Sequence, residues 1–381
     1  SGQSNMVGYG TVEGSQPGTL GYMTATENKF PNLAKIDGIW PQRNDVYYRG
    51  VISDKGAGPL KPKVAGDNYG PELGFGQVMG HYHDEGVLLI KSCIGNRSLS
   101  WDCLPPGSAR FDDGGYTYAG YGDSPNRWLD GDGPSPSVWY GGKQYDDYFL
   151  DEADMGPTLW ADGTSYPQYC QVLHNGVVYI SKVEHTSSPA SEPGVGGDSS
   201  TNWNLYSIFN VTDILDNFAG EYPQWAAQGF EIAGYVWWQG HKDGGEQGKG
   251  TAGIAATRYE QNLVSLIDSL RNYYESRYPN NTVKNPPFVV ATVGFGGGGW
   301  EKGSSADVIH QAQLAVGDPA KHPDYAGNVA SVDTTGYWRD ESESPKGQGF
   351  HYNHNAETYL LTGDALGRAM VELQGGSSAD Q

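Results

Sequence analysis

GVLLIKSCIG, residues Gly86–Gly95, is a short apolar run closed at each end by glycine. A strand with one wet face alternates apolar and polar side chains. A run that does not alternate reads as a strand buried on both faces. Three further stretches read the same way: FEIAGYVWWQG (Phe230–Gly240), PPFVVATVGFGGGGW (Pro286–Trp300) and the shorter NVASVDT (Asn328–Thr334). Between them lie helical patterns. PELGFGQVMGHYH (Pro71–His83) carries proline in its first turn. In TRYEQNLVSLIDSLRNYY (Thr257–Tyr274), Tyr259, Leu263, Leu266, Ile267 and Leu270 share one face. ETYLLTGDALGRAMVEL (Glu357–Leu373) is the last helix. Doubly buried strands separated by helices imply a parallel sheet covered on both sides. Active sites in such folds sit at the carboxyl ends of the strands.

Four stretches place chemistry at that edge. SGQSNM (Ser1–Met6) sets Ser4 in a glycine-flanked turn. KSCIGN supplies Gly95, whose N–H is a candidate donor. WWQGHKD supplies the amide of Gln239, and GFHYNHNAETY supplies His351 and His354 just before the last helix. A nucleophile, a base and oxyanion donors are what acyl transfer requires.

Composition bounds the partners. The 381 residues carry a net charge of −21, a field that repels nucleic acid and anionic membranes, so neither is expected as a partner. No run of apolar residues is long enough to span a bilayer. Three cysteines are too few for a disulfide scaffold; Cys93 and Cys103 are near enough in sequence to pair, and three buried thiols are the alternative. Residues 100–167 break the pattern. They are rich in Gly, Asp, Pro, Tyr and Trp and read as a large insertion of loops and short strands in one domain spanning 1–375, with a tail at 376–381. Aromatic rings there are candidates for stacking on sugars or for local packing. YCQVLHNGVVYISKVE (Tyr169–Glu184) reads as a hairpin turning at Asn175–Gly176.

The order GQSNM, a glycine after the next strand, WxQGxxD, and a C-terminal histidine followed by NAExY resembles the carbohydrate esterases of the SGNH-hydrolase superfamily, the sialate O-acetylesterase-like proteins in particular. The resemblance implies a flavodoxin-like three-layer α/β/α sandwich whose first strand ends at the GQSN turn, so the chain is expected to lack that strand. It implies Ser4 as nucleophile, His354 as general base, and an oxyanion hole from the N–H groups of Ser4 and Gly95 and the amide of Gln239. It implies removal of acetyl groups from sugars or polysaccharides, with no cofactor or metal, by a secreted or periplasmic protein. Two departures stand out. The family places Asp three residues before the catalytic histidine, where this chain has His351. Asp333 is the first candidate for the missing acid and Asp243 the second; alternatively His351 is the base with Gln348 in the acid's place. His241 stands where the family often has Glu. A catalytically inactive carbohydrate-binding protein on the same fold is the competing expectation.

Other features carry less. His81 and His83 are two apart on a helix and do not face each other. LDGDG (Leu129–Gly133) lacks the spacing and the final Glu of a calcium loop. Asp146–Asp147 gives no reason to lie across a sugar.

Overall fold

The computed structural model of the protein describes residues 1–53, 56–135, 137, 139–151, 154–155, 158–168, 170–206, 209–244 and 252–377. The chain divides into two compact units, Ser1–Leu99 with Gln228–Gln381, and Ser100–Ala227. The fold is mixed α/β with several sheets.

The first unit holds the elements that bear on the site. Its strands are β1 (Arg43–Ile52), β2 (Ala57–Leu60), β3 (Val87–Cys93), β4 (Tyr235–Trp238), β5 (Phe288–Ala291) and β6 (Val329–Val332). Its principal helices are α1 (Ser4–Val7), α2 (Glu72–Tyr82), α3 (His241–Gly244), α4 (Tyr259–Arg277), α5 (Ser305–Val316) and α6 (Ala356–Leu373). β1 and β3 pair in parallel from Val46↔Val87 to Ile52↔Cys93, with β2 antiparallel on the outer side of β1. β4, β5 and β6 pair in parallel, with Trp238 opposite Ala291 and Ala291 opposite Val332. Gly2 makes parallel bridges to both Cys93 and Trp238, so the two ladders meet at residue 2.

Every residue of β5 is buried, as its unbroken apolar sequence requires of a strand covered on both faces. α4 buries Tyr259, Leu263, Leu266, Ile267 and Leu270, the stripe read from the sequence. α2 and α6 pack closely because glycines line the contact. A Cβ at Gly74 would lie 2.1 Å from the Leu360 carbonyl oxygen, and one at Gly363 would lie 2.0 Å from that of Pro71. Glycine inside a helix costs about 1 kcal/mol against alanine, and here close packing offsets it.

The second unit starts where the composition changes and runs to Ala227, beyond the Pro167 end read from sequence. It contains the hairpin Gln171–His174 and Val177–Ser181, with Asn175 and Gly176 both at positive φ, as a two-residue turn of this kind demands. It also contains a helix, Lys143–Phe149, within the stretch read as loops and short strands. All seven helix residues are buried. The Asp146 carboxylate accepts from Tyr121 Oη (2.6 Å) and Tyr140 Oη (2.5 Å), and Lys143 pairs with Asp147. That pairing explains how so polar a segment is buried, and it makes Asp146–Asp147 structural. The insertion's rings also find local partners: Phe111 stacks on Tyr118, and Arg127 lies over Tyr116.

Of the two readings of the cysteines, the structure bears out three buried thiols: Cys93, Cys103 and Cys170 are buried and form no disulfide. Among the described residues no helix is long and apolar enough to cross a membrane, and no three acidic, His or Cys side chains cluster as metal ligands. Of the tail, residues 378–381 lie outside the described residues.

Candidate active site

Ser4 is the first residue of α1, two positions after the sheet junction at Gly2. Only glycine fits at position 2, because a Cβ there would lie 2.1 Å from the Trp238 carbonyl oxygen. Gly95, two residues beyond β3, passes beside the serine: a Cβ on it would lie 3.6 Å from that of Ser4. Neither the N–H of Ser4 nor that of Gly95 donates to any described residue, and Ser4 Oγ has no hydrogen-bond partner among them. Backbone donors are normally paired. Two unspent N–H groups flanking a free hydroxyl form a place where a developing negative charge would be received.

The histidine loop is tied to this turn through Asn5, which is 4% exposed. Asn5 Nδ2 donates to the Phe350 carbonyl (3.2 Å), and its Oδ1 accepts from Tyr359 Oη (2.8 Å). The Tyr359 hydroxyl also lies 3.2 Å from the His351 carbonyl. Tyr352, Asn353 and His354 all hold positive φ, a left-handed run that Asn and His enter more readily than Tyr. Asn353 anchors it, donating to the Arg339 carbonyl and accepting from the Gln348 N–H.

His354 Nε2 lies 2.5 Å from Gln348 Oε1. An amide oxygen can only accept, so the facing Nε2 carries the proton and Nδ1 carries the lone pair. Burial and the nearby Lys346 hold the His354 imidazolium form below its ordinary pKa. His351 stacks on Tyr9 at 3.8 Å, and its Nδ1 is buried with no hydrogen-bond partner among the described residues. Burial, then the neighbouring His354, His241 and Lys346, push His351 down to about 4. A histidine kept neutral in the fold but protonated below about 6.5 when unfolded makes stability fall as pH drops from about 6.5 toward 4. His351→Phe keeps a ring on Tyr9 and removes the titration. Its Tm should therefore fall less than the wild type's between pH 7 and pH 5. Equal losses in thermal scans at the two pH values would show that His351 is not responsible.

Neither proposed acid reaches a loop histidine. Asp333 Oδ1 accepts from His310 Nε2 (3.2 Å) and from the N–H and hydroxyl of Thr335 (2.9 and 2.7 Å). Partial burial raises its carboxyl, but these bonds outweigh it and hold the group below its ordinary value. Asp243, 2% exposed, accepts through Oδ2 from the Leu99 N–H (2.9 Å) and from Gln239 Nε2 (2.6 Å). Among the described residues no carboxylate is hydrogen-bonded to His351 or His354. Gln348 does occupy an orienting position, but on His354 rather than on His351.

Gln239 also differs from expectation as an oxyanion donor. Its Nε2 faces Gln3 Oε1 (3.0 Å), the Arg97 carbonyl (2.9 Å) and Asp243 Oδ2 (2.6 Å). Its Oε1 accepts from Tyr259 Oη (2.8 Å). Two amide hydrogens facing three internal acceptors leave none for substrate. The residue instead binds the serine turn, through Gln3, to the Gly95 loop, through Arg97. Gln3 Oε1 also accepts from the Lys242 N–H, which adds α3 to the same cluster. In that helix His241 stacks on Phe350 and meets Phe295 edge-on. Phe350 remains 44% exposed, an apolar ring open to solvent next to the histidine loop.

No family model matches the chain, and no curated protein matches it in sequence. Among solved structures it is similar to a protein from Arabidopsis thaliana, at 13% identity and a TM-score of 0.44, covering 97% of this chain and 95% of that one. It is also similar to a carbohydrate acetylesterase from Xanthomonas citri, at 10% identity and a TM-score of 0.41, covering 98% of this chain and 55% of that one. Likenesses this distant leave the chemistry to be read from the site itself.

Proposed function

We propose that the protein is a carbohydrate O-acetylesterase acting through a serine acyl-enzyme, on a flavodoxin-like three-layer sandwich of the SGNH type. The observation that carries this reading is the free Ser4 hydroxyl between two unspent backbone N–H groups, its own and that of Gly95. Ser4 Oγ attacks the ester carbonyl carbon while His354 Nδ1 takes its proton. The carbonyl oxygen becomes an oxyanion received by the two N–H groups. The C–O bond to the sugar breaks, and the sugar oxygen leaves with the proton from the imidazolium. Water then attacks the acyl-serine by the same route, releasing the carboxylic acid and restoring Ser4. Catalytic hydrogen bonds are commonly long before substrate binds, which fits the unbonded Ser4 Oγ. The GQSNM and WWQG motifs and the exposed Phe350 ring support a sugar as the alcohol portion. A secreted or periplasmic location suits such a substrate and the charge of −21.

In this reading Gln348 stands in for the usual carboxylate. Its oxygen fixes the imidazole tautomer but supplies no charge to stabilise imidazolium. Gln348→Glu places that charge beside His354, and an opposite charge at this range raises a pKa by about 1–3 units. The acidic limb of the kcat/KM profile should move upward accordingly. A limb that stays in place would detach Gln348 from the base.

The missing carboxylate also favours a second reading, an inactive carbohydrate-binding protein. Acetate release from a panel of acetylated mono- and polysaccharides separates the two. The esterase reading predicts release from at least one sugar ester, whereas binding of sugars without any release supports the alternative.

A further inference from the structure

A cavity of about 130 Å³ lies between α3 and α5. Val293, Phe295, Ala306 and Ile309 form its apolar walls, Gly240 and Gly244 complete the lining, and among the described residues His241 is the only titratable one lining it. Strand register places it relative to Ser4. Gly2 pairs with Trp238 on one side and with Cys93 on the other. Two residues beyond those two strand ends stand Gly240 and Gly95, as Ser4 stands two beyond Gly2. Phe295 follows Ala291, the register partner of Trp238, by four residues. The register therefore brings the Gly95 turn to one side of the Gly2 strand and Gly240, part of the cavity lining, to the other. Gln3 holds the serine turn to this side by accepting from Gln239 and from the Lys242 N–H.

Building on the esterase reading above, we propose that this cavity receives the acyl chain of the ester, and that the enzyme therefore cleaves short-chain acyl esters beyond acetate. The geometry follows from a trigonal carbonyl. With its oxygen toward Ser4 and Gly95, the acyl substituent diverges toward Gly240 and His241. An apolar cavity of about 150 Å³ holds a benzene molecule, so this one has room for a chain of roughly four to six carbons. Walls of Phe295, Ala306 and Ile309 suit methylene groups rather than a polar or charged acyl group. Burial, then Lys242, hold His241 below its ordinary pKa, which favours the neutral ring on this wall.

The test compares p-nitrophenyl acetate with p-nitrophenyl butyrate on the full chain. Each methylene buried should raise kcat/KM about fourfold, so the wild type should favour butyrate. Ala306→Leu fills the cavity from α5 and should lower the butyrate-to-acetate ratio at least tenfold. Gly244→Ala fills it from α3, where the new Cβ would meet Ile309 Cδ1 at an ordinary 3.5 Å, and should shift the ratio in the same direction if Ala306→Leu fails to fold. Acetate turnover with butyrate rejected, or a ratio unmoved by a folded cavity-filling variant, overturns the acyl-pocket assignment alone. No turnover of either ester removes the esterase reading itself, and the assignment with it.

Discussion

Ser4→Ala should abolish ester hydrolysis while leaving the fold intact. Removing the nucleophile of a hydrolytic triad costs about 10⁶ in kcat in the best-studied case, and a loss of at least about 10⁴ is expected here. The structural cost should be small, because Ser4 Oγ has no hydrogen-bond partner among the described residues to lose. The Tm should therefore stay close to that of the wild type. Rate assays and thermal scans on the same preparations check both halves. Wild-type turnover in the variant would remove Ser4 from the chemistry. A large fall in Tm would mean that the hydroxyl has a structural role that its lack of partners denies.

Gln239→Ala should have the second largest effect, on both stability and rate. The amide bridges the serine turn, the Gly95 loop and the buried Asp243 carboxylate at once. Stripping a donor from a buried charged acceptor costs about 1.5–3 kcal/mol, before the lost contacts to Gln3 and Arg97 are counted. With that tie gone, Ser4 and Gly95 lose their fixed separation, and a displacement of about 1 Å costs on the order of 10²-fold in rate. Gln239→Glu, though similar in shape, sets a second carboxylate against Asp243 and should be less stable than the alanine variant. A direct oxyanion donor would behave differently: its loss would slow turnover at unchanged Tm. Urea titrations beside kcat measurements distinguish a positioning role from a donor role.

The parts of the fold visible in the sequence are those set by a single burial condition. β5 reads as an apolar run because both its faces are covered, and α4 shows its stripe because one face packs inward; β3 reads like β5, yet its Val87–Ile90 are only half-buried and full burial is confined to Lys91–Cys93. β1 was missed. It opens on Arg43, Asn44 and Asp45, and its burial alternates along Val46, Tyr48 and Gly50, so no unbroken apolar run marks it. The Lys143–Phe149 helix was missed because its burial depends on Asp–Tyr and Lys–Asp pairing within the fold, which no periodicity announces.

The candidate site divides in the same way. Ser4, Gly95 and the histidine loop were legible because glycine-ended strands in a parallel sheet deliver their loops to one edge. Which polar group holds which was not. Asp333 turns to His310 in α5, an encounter between residues 23 apart in sequence. Gln348 reaches His354 rather than His351 because three successive left-handed residues turn the loop back on itself, and the first of them, Tyr352, is not of a type that signals such a turn. Gln239 could be named as an important amide, but only its neighbours show that its hydrogens are already committed.

The central claim is that Ser4 is an activated nucleophile. Treating the full chain with a fluorophosphonate, followed by intact mass and peptide mapping, tests it without knowledge of the substrate. The account predicts one adduct, on the peptide containing Ser4, that forms far more slowly in His354→Ala. An unmodified protein, or an adduct on another serine with Ser4 untouched, would contradict it.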